Sequence, residues 1–451
     1  MPDTIFALAS APGRAAVAIV RLSGSGTVAA LQALTGAPPK SRRPILRVLR
    51  RPGDGAPLDR ALVLWFPRPQ SYTGEDVAEL HLHGGAAVID GVTETLLGLG
   101  LRLALPGEFT RRAFESGKLD LSQAEAIGDL VEAETDAQRR QALAQLGGDL
   151  ARRHAKWREA LIEALALLEA AVDFPDEDLP DEVARGAVPL VSHVGAEIDT
   201  ALADGERGER VREGFRIALI GAPNAGKSSL LNALAGRDAA IVTATPGTTR
   251  DIVEVALDLA GYRVVIGDTA GLRGPKSAVE AEGVRRAAAL AETADLRLVV
   301  VDAAAKDKRW REAAVLARGG DICVLNKRDL APPPAGAAVS AWATGHDLAV
   351  ANISAARGIG LAQLREALTA RVVKALAGGE FPAATRARHR QDLIAARGHL
   401  TRATRALLTP VEVELAAEDV RLAARSLARI TGRVDPEDVL DQVFARFCIG
   451  K

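Results

Sequence analysis

The segment GAPNAGKSS, which begins at Gly221, restricts the fold more than any other part of the sequence. It matches the pattern G-x-x-x-x-G-K-[ST], with Gly221, Gly226, Lys227 and Ser228 in the required places. The apolar run FRIALI precedes it and the helical run SLLNALAG follows it, which is the context of a phosphate-binding loop. Backbone N–H groups, the Lys227 ammonium and the helix N-terminus would surround the phosphates, and Ser228 would ligate Mg²⁺. The segment therefore predicts an α/β P-loop domain that binds a nucleoside triphosphate.

Five short apolar runs predict the sheet of that domain. They are FRIALIG, RVVIGDTAG, LRLVVVDAA, DICVLNKRD and VANISAARG, and helical stretches separate them. This alternation is typical of a parallel, doubly wound sheet, in which ligands bind at the loops that follow the strands.

The regions before and after this domain differ from it in their pattern of apolar residues. Together with the length of 451 residues, this difference predicts a multidomain chain. Up to Lys118, β-rich runs mix with Gly and Pro turns, which indicates an α+β domain. From Leu119, apolar residues recur at steps of three and four and predict a helix that Gly147 and Gly148 end. We expect an α+β domain over 1–118, an all-α domain in two parts over 119–210 and 376–451, and the inserted GTPase domain over 211–375.

Two further motifs specify the base. NKRD, from Asn326 to Asp329, ends an apolar run, and the Asp329 carboxylate can accept hydrogen bonds from both N1–H and the 2-amino group of guanine. Adenine would leave that carboxylate unpaired, which is costly. NISA, with Ser354 and Ala355, supplies another base-side loop. Together with the phosphate loop at Gly221 and the DTAG segment at Asp268, they make four motifs in a fixed order, each after a predicted strand, which predict that the nucleotide is GTP.

Composition restricts the binding partners and the cellular compartment that can be expected. The formal net charge is -1, so the whole molecule shows no electrostatic footprint for nucleic acid, although a local basic face remains open. Only two cysteines occur, Cys323 and Cys448, which rules out a disulfide framework. No signal peptide and no apolar run near the ~18 residues of a membrane span are found. We expect a reducing, cytoplasmic protein without membrane contact.

Two segments, one before and one after Asp268, bear on how GTP would be hydrolysed. Thr249, in TATPGTTRD, is the expected second hydroxyl ligand of Mg²⁺. After Asp268–Gly271, where Ras-like enzymes carry a glutamine that orients the attacking water, this chain has Leu272. Asn224 and the run 243–248 could surround a monovalent cation. A carboxylate of SAVEAEG, Glu280 or Glu282, could then position the water.

Taken together, these motifs and their flanking segments resemble the MnmE family, also called TrmE, of bacterial tRNA-modification GTPases. The resemblance covers essentially the whole chain, through APGR…AIVRLSG, SYTGEDVAELHLHGG, LPGEFTRRAFESGKLDLSQAEAI, the GTPase motifs, GRDAAIVTATPGTTRD and the terminal FCIGK. It implies a K⁺-dependent GTPase whose two copies meet across their nucleotides in a homodimer. It also implies a heterotetramer with the FAD-containing partner MnmG (GidA) and modification of C5 of the tRNA wobble uridine, with glycine or ammonium as nitrogen donor.

The resemblance also implies residue roles in the GTPase domain. Asn224, Thr243, Thr245 and Thr248 match the K⁺ positions, and Glu280 matches the catalytic glutamate. Ala244 stands where the family often has an acidic residue. The predicted GTP-contacting residues are Asn224, Ala225, Gly226, Lys227, Ser228, Ser229, Thr243, Ala244, Thr245, Pro246, Gly247, Thr248, Thr249, Asp268, Thr269, Ala270, Gly271, Asn326, Lys327, Asp329, Ser354 and Ala355.

The N-terminal segment resembles a tetrahydrofolate-binding domain, which implies 5-formyltetrahydrofolate or methylene-tetrahydrofolate as the one-carbon source. Arg21, Glu79, Lys118 and Lys451 match the folate-contacting positions. The family ties Cys448 to the modification step, whereas Cys323, within an apolar run, is predicted to be structural. His81 and His83 alternate along one predicted strand and are assigned no metal.

A second function class stays open on the GTPase motifs alone. A GTP-gated switch for ribosome assembly or translation would need the same nucleotide loops. It would not need the folate-like N-terminus or FCIGK, so these two features favour the tRNA-modifying enzyme.

Overall fold

The computed structural model describes residues 3–37, 41–173, 180–236, 253–268, 288–305, 309–330, 336–378, 381–408, 412–434, 437–445, 447 and 449–450. The chain divides into two compact units. The first comprises Met1–Gly128, Gln145–Val191 and Gly398–Lys451, and the second comprises Asp129–Ala144 and Ser192–Arg397. The division into three domains that the sequence predicts, with the all-α domain in two parts, stays a prediction.

The first unit contains a six-stranded mixed sheet in the order β3-β4-β5-β2-β1-β6. Only β1 and β6 pair in parallel, and the other neighbours are antiparallel. The strands are β1 (Ile5–Leu8), β2 (Ala15–Ser23), β3 (Ile45–Arg50), β4 (Pro57–Phe66), β5 (Val77–Gly84) and β6 (Arg102–Leu103), with α1 (Thr27–Thr35), α2 (Ala86–Gly98) and α3 (Glu108–Glu115) beside them.

The two faces of this sheet have different roles because side chains alternate along each strand. One face packs Val20, Leu22 and Leu80 against Leu31 of α1 and Leu96 of α2 in a closed apolar core. The opposite face carries polar side chains, among which Arg21 and Glu79 are cross-strand partners. Two of the predicted folate residues, Arg21 and Glu79, therefore lie on this polar face.

The helical region has eight helices among the described residues. They are α4 (Leu121–Glu132), α5 (Asp136–Leu146), α6 (Asp149–Asp173), α7 (Pro180–Ala203), α8 (Gly205–Glu213), α13 (Ala387–Ala406), α14 (Val413–Ile430) and α15 (Glu437–Phe444). None of the described helices is long and apolar enough to cross a bilayer.

The single helix predicted from Leu119 to Gly147 is wrong, because α4 ends at Glu132 and α5 begins at Asp136. The side-chain oxygen of Gln138 accepts hydrogen bonds from the N–H groups of Glu134 and Thr135 at 3.0 and 3.1 Å. These bonds satisfy amides that a continuous helix would have paired internally. Apolar residues recur at helical spacing on both sides of this break, so the sequence pattern does not reveal it.

The second unit contains the other six-stranded sheet, in the order β12-β11-β10-β7-β9-β8. Apolar clusters cover it on both sides. Its elements are β7 (Phe215–Ile220), α9 (Lys227–Ala235), β8 (Val253–Leu259), β9 (Tyr262–Asp268), β10 (Leu296–Asp302), α10 (Trp310–Ala314), β11 (Ile322–Asn326), α11 (Ala337–Gly345), β12 (Ala349–Asn352) and α12 (Leu361–Leu376).

The five parallel strands predicted from the sequence are confirmed, and the α/β class with them. The sequence reasoning missed β8, which pairs antiparallel with β9 at the sheet edge. Its sequence, VEVALDL, alternates apolar and polar residues, as suits a strand at an edge. The prediction had relied on continuous apolar runs. Cys323 lies fully buried in β11, and burial raises the pKa of its thiol to about 12, which agrees with a structural role.

Candidate functional site

The phosphate-binding loop lies between β7 and α9 and requires its glycines. A Cβ at Gly221 would lie 2.2 Å from the Val300 carbonyl oxygen, and one at Gly226 would lie 2.2 Å from Nδ2 of Asn326. Gly226 also has φ +93°, a conformation that disfavours side chains. The loop is therefore packed against β10 and against the NKRD motif.

Lys227 places its ammonium within this loop. The side chain is almost completely buried, and Nζ donates to the carbonyl oxygens of Gly221 at 2.7 Å and Ala222 at 3.1 Å. Burial lowers the pKa of Lys227, and the nearby Asp268 carboxylate opposes that shift. The arrangement holds a cation where anionic oxygens can bind.

Ser228 and Asp268 meet beside the loop. β7 and β9 are parallel neighbours in a register that aligns Leu219 with Asp268, the last residue of β9. Ser228 Oγ donates to Asp268 Oδ2 at 2.6 Å. A hydroxyl and a carboxylate are the oxygen donors that suit Mg²⁺ next to phosphates.

Asn326 connects the phosphate loop to the base-side loops. Its Nδ2 donates to the Ala225 carbonyl oxygen at 3.0 Å, and its Oδ1 accepts from the Ala355 N–H at 3.0 Å. Lys327 has φ +61°, and its Nζ donates to the Asn224 carbonyl oxygen at 2.8 Å. Three motifs that lie far apart in the sequence thus form one hydrogen-bonded group.

The Asp329 carboxylate is held in place by two neighbours. A hydrogen bond from Ser354 Oγ holds the pKa of Asp329 below its ordinary value, with a further contribution from Arg357. Arg357 Nε lies 3.5 Å from Asp329 Oδ2. The group is therefore ionised at neutral pH and ready to accept two hydrogen bonds.

Two residues of this site were missed in the sequence reasoning. Asp302 ends β10 and accepts a hydrogen bond from Lys327 Nζ at 2.7 Å, and Arg357 pairs with Asp329. The position of Asp302 as the first polar residue after a buried strand could have identified it. Arg357 gives no comparable signal, since it lies in a short loop beyond the NISA motif.

Several predicted residues lie outside the described part of the chain, and their roles stay predictions. They are the predicted switch residues Thr243, Ala244, Thr245, Pro246, Gly247, Thr248 and Thr249, the residues Thr269, Ala270, Gly271 and Leu272 after Asp268, the carboxylates Glu280 and Glu282, and Cys448 and Lys451.

The polar face of the first unit pairs two of the predicted folate residues. Arg21 donates to Glu79 Oε1 through Nε at 3.2 Å and through Nη2 at 3.0 Å. His81 Nε2 lies 3.3 Å from the other Glu79 oxygen. The guanidinium carbon of Arg21 also lies 5.4 Å from the centre of the Tyr72 ring and 5.8 Å from that of Phe109. The sequence reasoning had singled out neither ring.

Lys118 and the C-terminal tail lie beside other parts of the same unit. Cε of Lys118 would lie 3.6 Å from a Cβ at Gly74, and no contact joins its ammonium to Arg21 or Glu79 among the described residues. A Cβ at Gly450 would lie 2.4 Å from the Leu8 carbonyl oxygen. The tail therefore passes the end of β1, the strand that pairs with β2 beside Arg21.

Comparison with known proteins finds family models and relatives that match the chain. The TrmE N-terminus family model matches residues 4–118, and the MnmE helical domain model matches residues 121–448. The tRNA modification GTPases MnmE of Phenylobacterium zucineum and Caulobacter vibrioides are 60% and 57% identical to the chain, each over 100% of both sequences. The G domain of the FeoB iron transporter of T. maritima is 26% identical and covers 36% of the chain and 99% of its own length, with a TM-score of 0.28.

The matched family models span most of the chain, and the relatives align with it from end to end. The chain therefore belongs to the MnmE (TrmE) family and is a GTPase that acts in tRNA modification.

Proposed function

We propose that the chain is a K⁺-dependent GTPase that works with the FAD-containing partner MnmG. It hydrolyses GTP to GDP and phosphate and, as a homodimer within a heterotetramer, serves the addition of an aminomethyl or carboxymethylaminomethyl group. The target is C5 of the wobble uridine, position 34 of the tRNA, and a tetrahydrofolate supplies the one-carbon unit.

The GTPase part of the proposal rests mainly on the Asn326 side chain, which hydrogen-bonds both the Ala225 carbonyl oxygen and the Ala355 N–H. It holds the phosphate loop and the base-side loops at one end of the sheet, so that one nucleotide can contact Lys227 and Asp329 together. Ser228 would hold Mg²⁺, with Thr249 as the second hydroxyl. When bound, this ion neutralises charge that develops on the phosphate oxygens.

Support for the K⁺ site comes from Asn224. This residue is exposed at the tip of the loop with φ +62°, and its carbonyl is already occupied by Lys327. Its side-chain amide makes no hydrogen bond within the described residues, so its oxygen is available to a cation. Thr243, Thr245 and Thr248 would complete the set of ligands, and Glu280 would position the water.

Support for the folate part comes from the polar face of the first unit. The Arg21 guanidinium lies beside two aromatic rings, which suits a ligand that combines a flat heterocycle with carboxylates. Because Arg21 occupies one oxygen of Glu79, a pterin edge would have to compete with it or use the oxygen beside His81. Lys118 and Lys451 would supply further cations.

Equilibrium binding of 5-formyltetrahydrofolate to the full chain tests the folate part of this proposal. We expect saturable binding that Arg21→Gln weakens about tenfold or more, because a hydrogen bond to a charged group contributes about 1.5–3 kcal/mol. Arg68→Gln, at an exposed arginine of the same unit, is the control and should bind like the unaltered chain. If the unaltered chain shows no saturable binding, the folate part of the proposal is wrong.

A further inference from the structure

One stretch of the first unit departs strongly from the overall charge balance. The chain has 57 basic and 58 acidic residues, yet residues 41–60 contain six arginines and only two acidic residues, Asp54 and Asp59. All six arginines are exposed. We call this set the arginine strip: Arg42, Arg43, Arg47, Arg50, Arg51 and Arg60.

The strip follows the free edge of the sheet. β3 is the outermost strand, so one side of its backbone has no partner strand among the described residues. The pairing of Val48 with Arg60 places that arginine on β4 opposite the middle of β3. Arg47 and Arg50 lie within β3, and at about 3.3 Å per residue they are about 10 Å apart along the edge. Because side chains alternate along a strand, Arg47, opposite Ala61, lies on one face of the sheet and Arg60, opposite Val48, lies on the other, so the positive charges line both faces of this edge.

Of the two acidic residues nearby, only Asp54 pairs with an arginine of the strip, Arg51. Asp59 accepts hydrogen bonds from the His83 N–H at 2.8 Å and from the His83 ring at 2.7 Å. Asp54 accepts from the Ala56 N–H at 3.0 Å and lies 3.5 Å from Arg51. In the described part of the chain, the guanidinium groups of Arg43, Arg47 and Arg60 have no acidic partner.

We propose that the arginine strip binds the phosphate backbone of tRNA. Exposed guanidinium groups without partners match phosphate in charge and in their forked hydrogen-bond geometry. Charges on an edge strand can also serve only to prevent pairing with another sheet, but that role does not require Arg60 on the inner strand or Arg51 in the turn. The inference rests on the family's action on tRNA and not on the folate or K⁺ parts of the proposed function.

Phosphate contacts fix position and carry no sequence information, so the strip would orient tRNA on the first unit without selecting its sequence. Each contact releases counterions, and log K falls against log[salt] with a slope of about −0.7 to −0.9 per phosphate. The strip therefore predicts a measurable change in salt dependence as well as in affinity.

The test is fluorescence anisotropy of labelled tRNA with the full chain, without other proteins, over a series of salt concentrations. For the triple variant Arg43→Gln, Arg47→Gln and Arg60→Gln we expect about tenfold or more weaker binding at low salt and a slope smaller by about 2. Replacing the same three residues with Lys should retain most of the affinity, because a Lys also neutralises phosphate. GTP hydrolysis in the absence of tRNA should not change in either variant.

The control triple is Arg139→Gln, Arg140→Gln and Arg152→Gln, which removes the same charge from exposed positions that are paired with Asp136 and Asp149. It should leave the slope unchanged. Equal losses in both triples, or an unchanged slope in the strip variant, would overturn the proposal. Vesicles of phosphatidylserine provide another arm, since a strip variant that loses vesicle binding and keeps tRNA binding would assign the surface to lipid instead.

Discussion

At the scale of single residues, Asp329 should decide which base is bound. Hydrogen bonds from Ser354 and Arg357 keep its carboxylate ionised, and guanine presents two N–H donors to it. Asp329→Asn should weaken GTP binding by about 100-fold, because two hydrogen bonds to a charged group are worth about 3 kcal/mol or more and 1.4 kcal/mol is tenfold. The variant should turn to xanthosine triphosphate, whose 2-oxo group accepts from the new amide. Competition binding of the two nucleotides measures this change.

Arg357→Gln is the matched control for that substitution. It removes the ion pair at 3.5 Å and leaves the carboxylate in place, so the preference for GTP should persist. Unchanged GTP affinity in Asp329→Asn would contradict the assignment of the base site. A shift of preference in Arg357→Gln would instead assign the effect to the ion pair.

At the scale of elements, α3 is joined to the rest of the first unit by a network of charges. Arg112 donates to Glu108 at 2.9 Å and to Glu75 at 3.1 Å, and Arg102 donates to Glu108 at 2.8 Å. The side chains of Arg112 and Glu108 are only 10% and 11% exposed, so little solvent screens them. Removing Arg112 leaves Glu108 ion-paired with Arg102 alone and takes from Glu75 its ion pair, and breaking such a buried network typically costs about 3–5 kcal/mol.

We therefore expect Arg112→Met to lower the local stability of α3 by about 3 kcal/mol at pH 7. Arg111→Met provides the matched control, because Arg111 on the same helix is 42% exposed and its pairs with Glu115 and Asp441 lie at the surface. Such pairs contribute at most about 1 kcal/mol. Protection factors from hydrogen exchange of the 108–115 amides measure both variants, and equal effects would contradict the network's role.

The contribution of Glu108 should also depend on pH. Burial alone would raise the pKa of Glu108, but hydrogen bonds from Arg102, from the Leu105 N–H and from Arg112 outweigh it and lower the pKa. A lowered pKa gives stability that is present above the unfolded value of about 4.3 and is lost as the pH falls through the folded pKa. The difference between the unaltered chain and Arg112→Met should therefore shrink below about pH 4.

The same elements show what the sequence could predict. Apolar runs that end in polar loops identified the five parallel strands, and fixed motif spacing identified Lys227, Asn326 and Asp329. The contact between Asp302 and Lys327 could not be found in this way. It depends on the register of β10 and β11, which aligns Asp302 with Asn326, and register is a property of the folded sheet. The break between α4 and α5 was hidden because a side chain, Gln138, replaces the backbone bonds.

At the scale of the whole molecule, the chain must replace the catalytic role of a glutamine side chain that it lacks. Leu272 cannot hold the water that a glutamine orients in Ras-like enzymes, so hydrolysis needs another source of charge and order. We propose that the K⁺ ion at Asn224 is fixed in place when the two copies of the homodimer meet across their nucleotides. Activity should then depend on both the cation and the protein concentration.

Turnover in KCl should exceed turnover in NaCl at equal ionic strength by at least about tenfold, since a fixed positive charge at the phosphates can be worth about 10³–10⁵ in rate. The K⁺ advantage should fall at low protein concentration, where copies separate. Asn224→Gly removes the amide and tolerates φ +62°, so it should lose the K⁺ advantage and still bind GDP. Steady-state phosphate release measures the rates, and nucleotide titration verifies the fold of the site. Equal rates in the two salts, or a K⁺ advantage that survives in Asn224→Gly, would rule out a cation held by this residue.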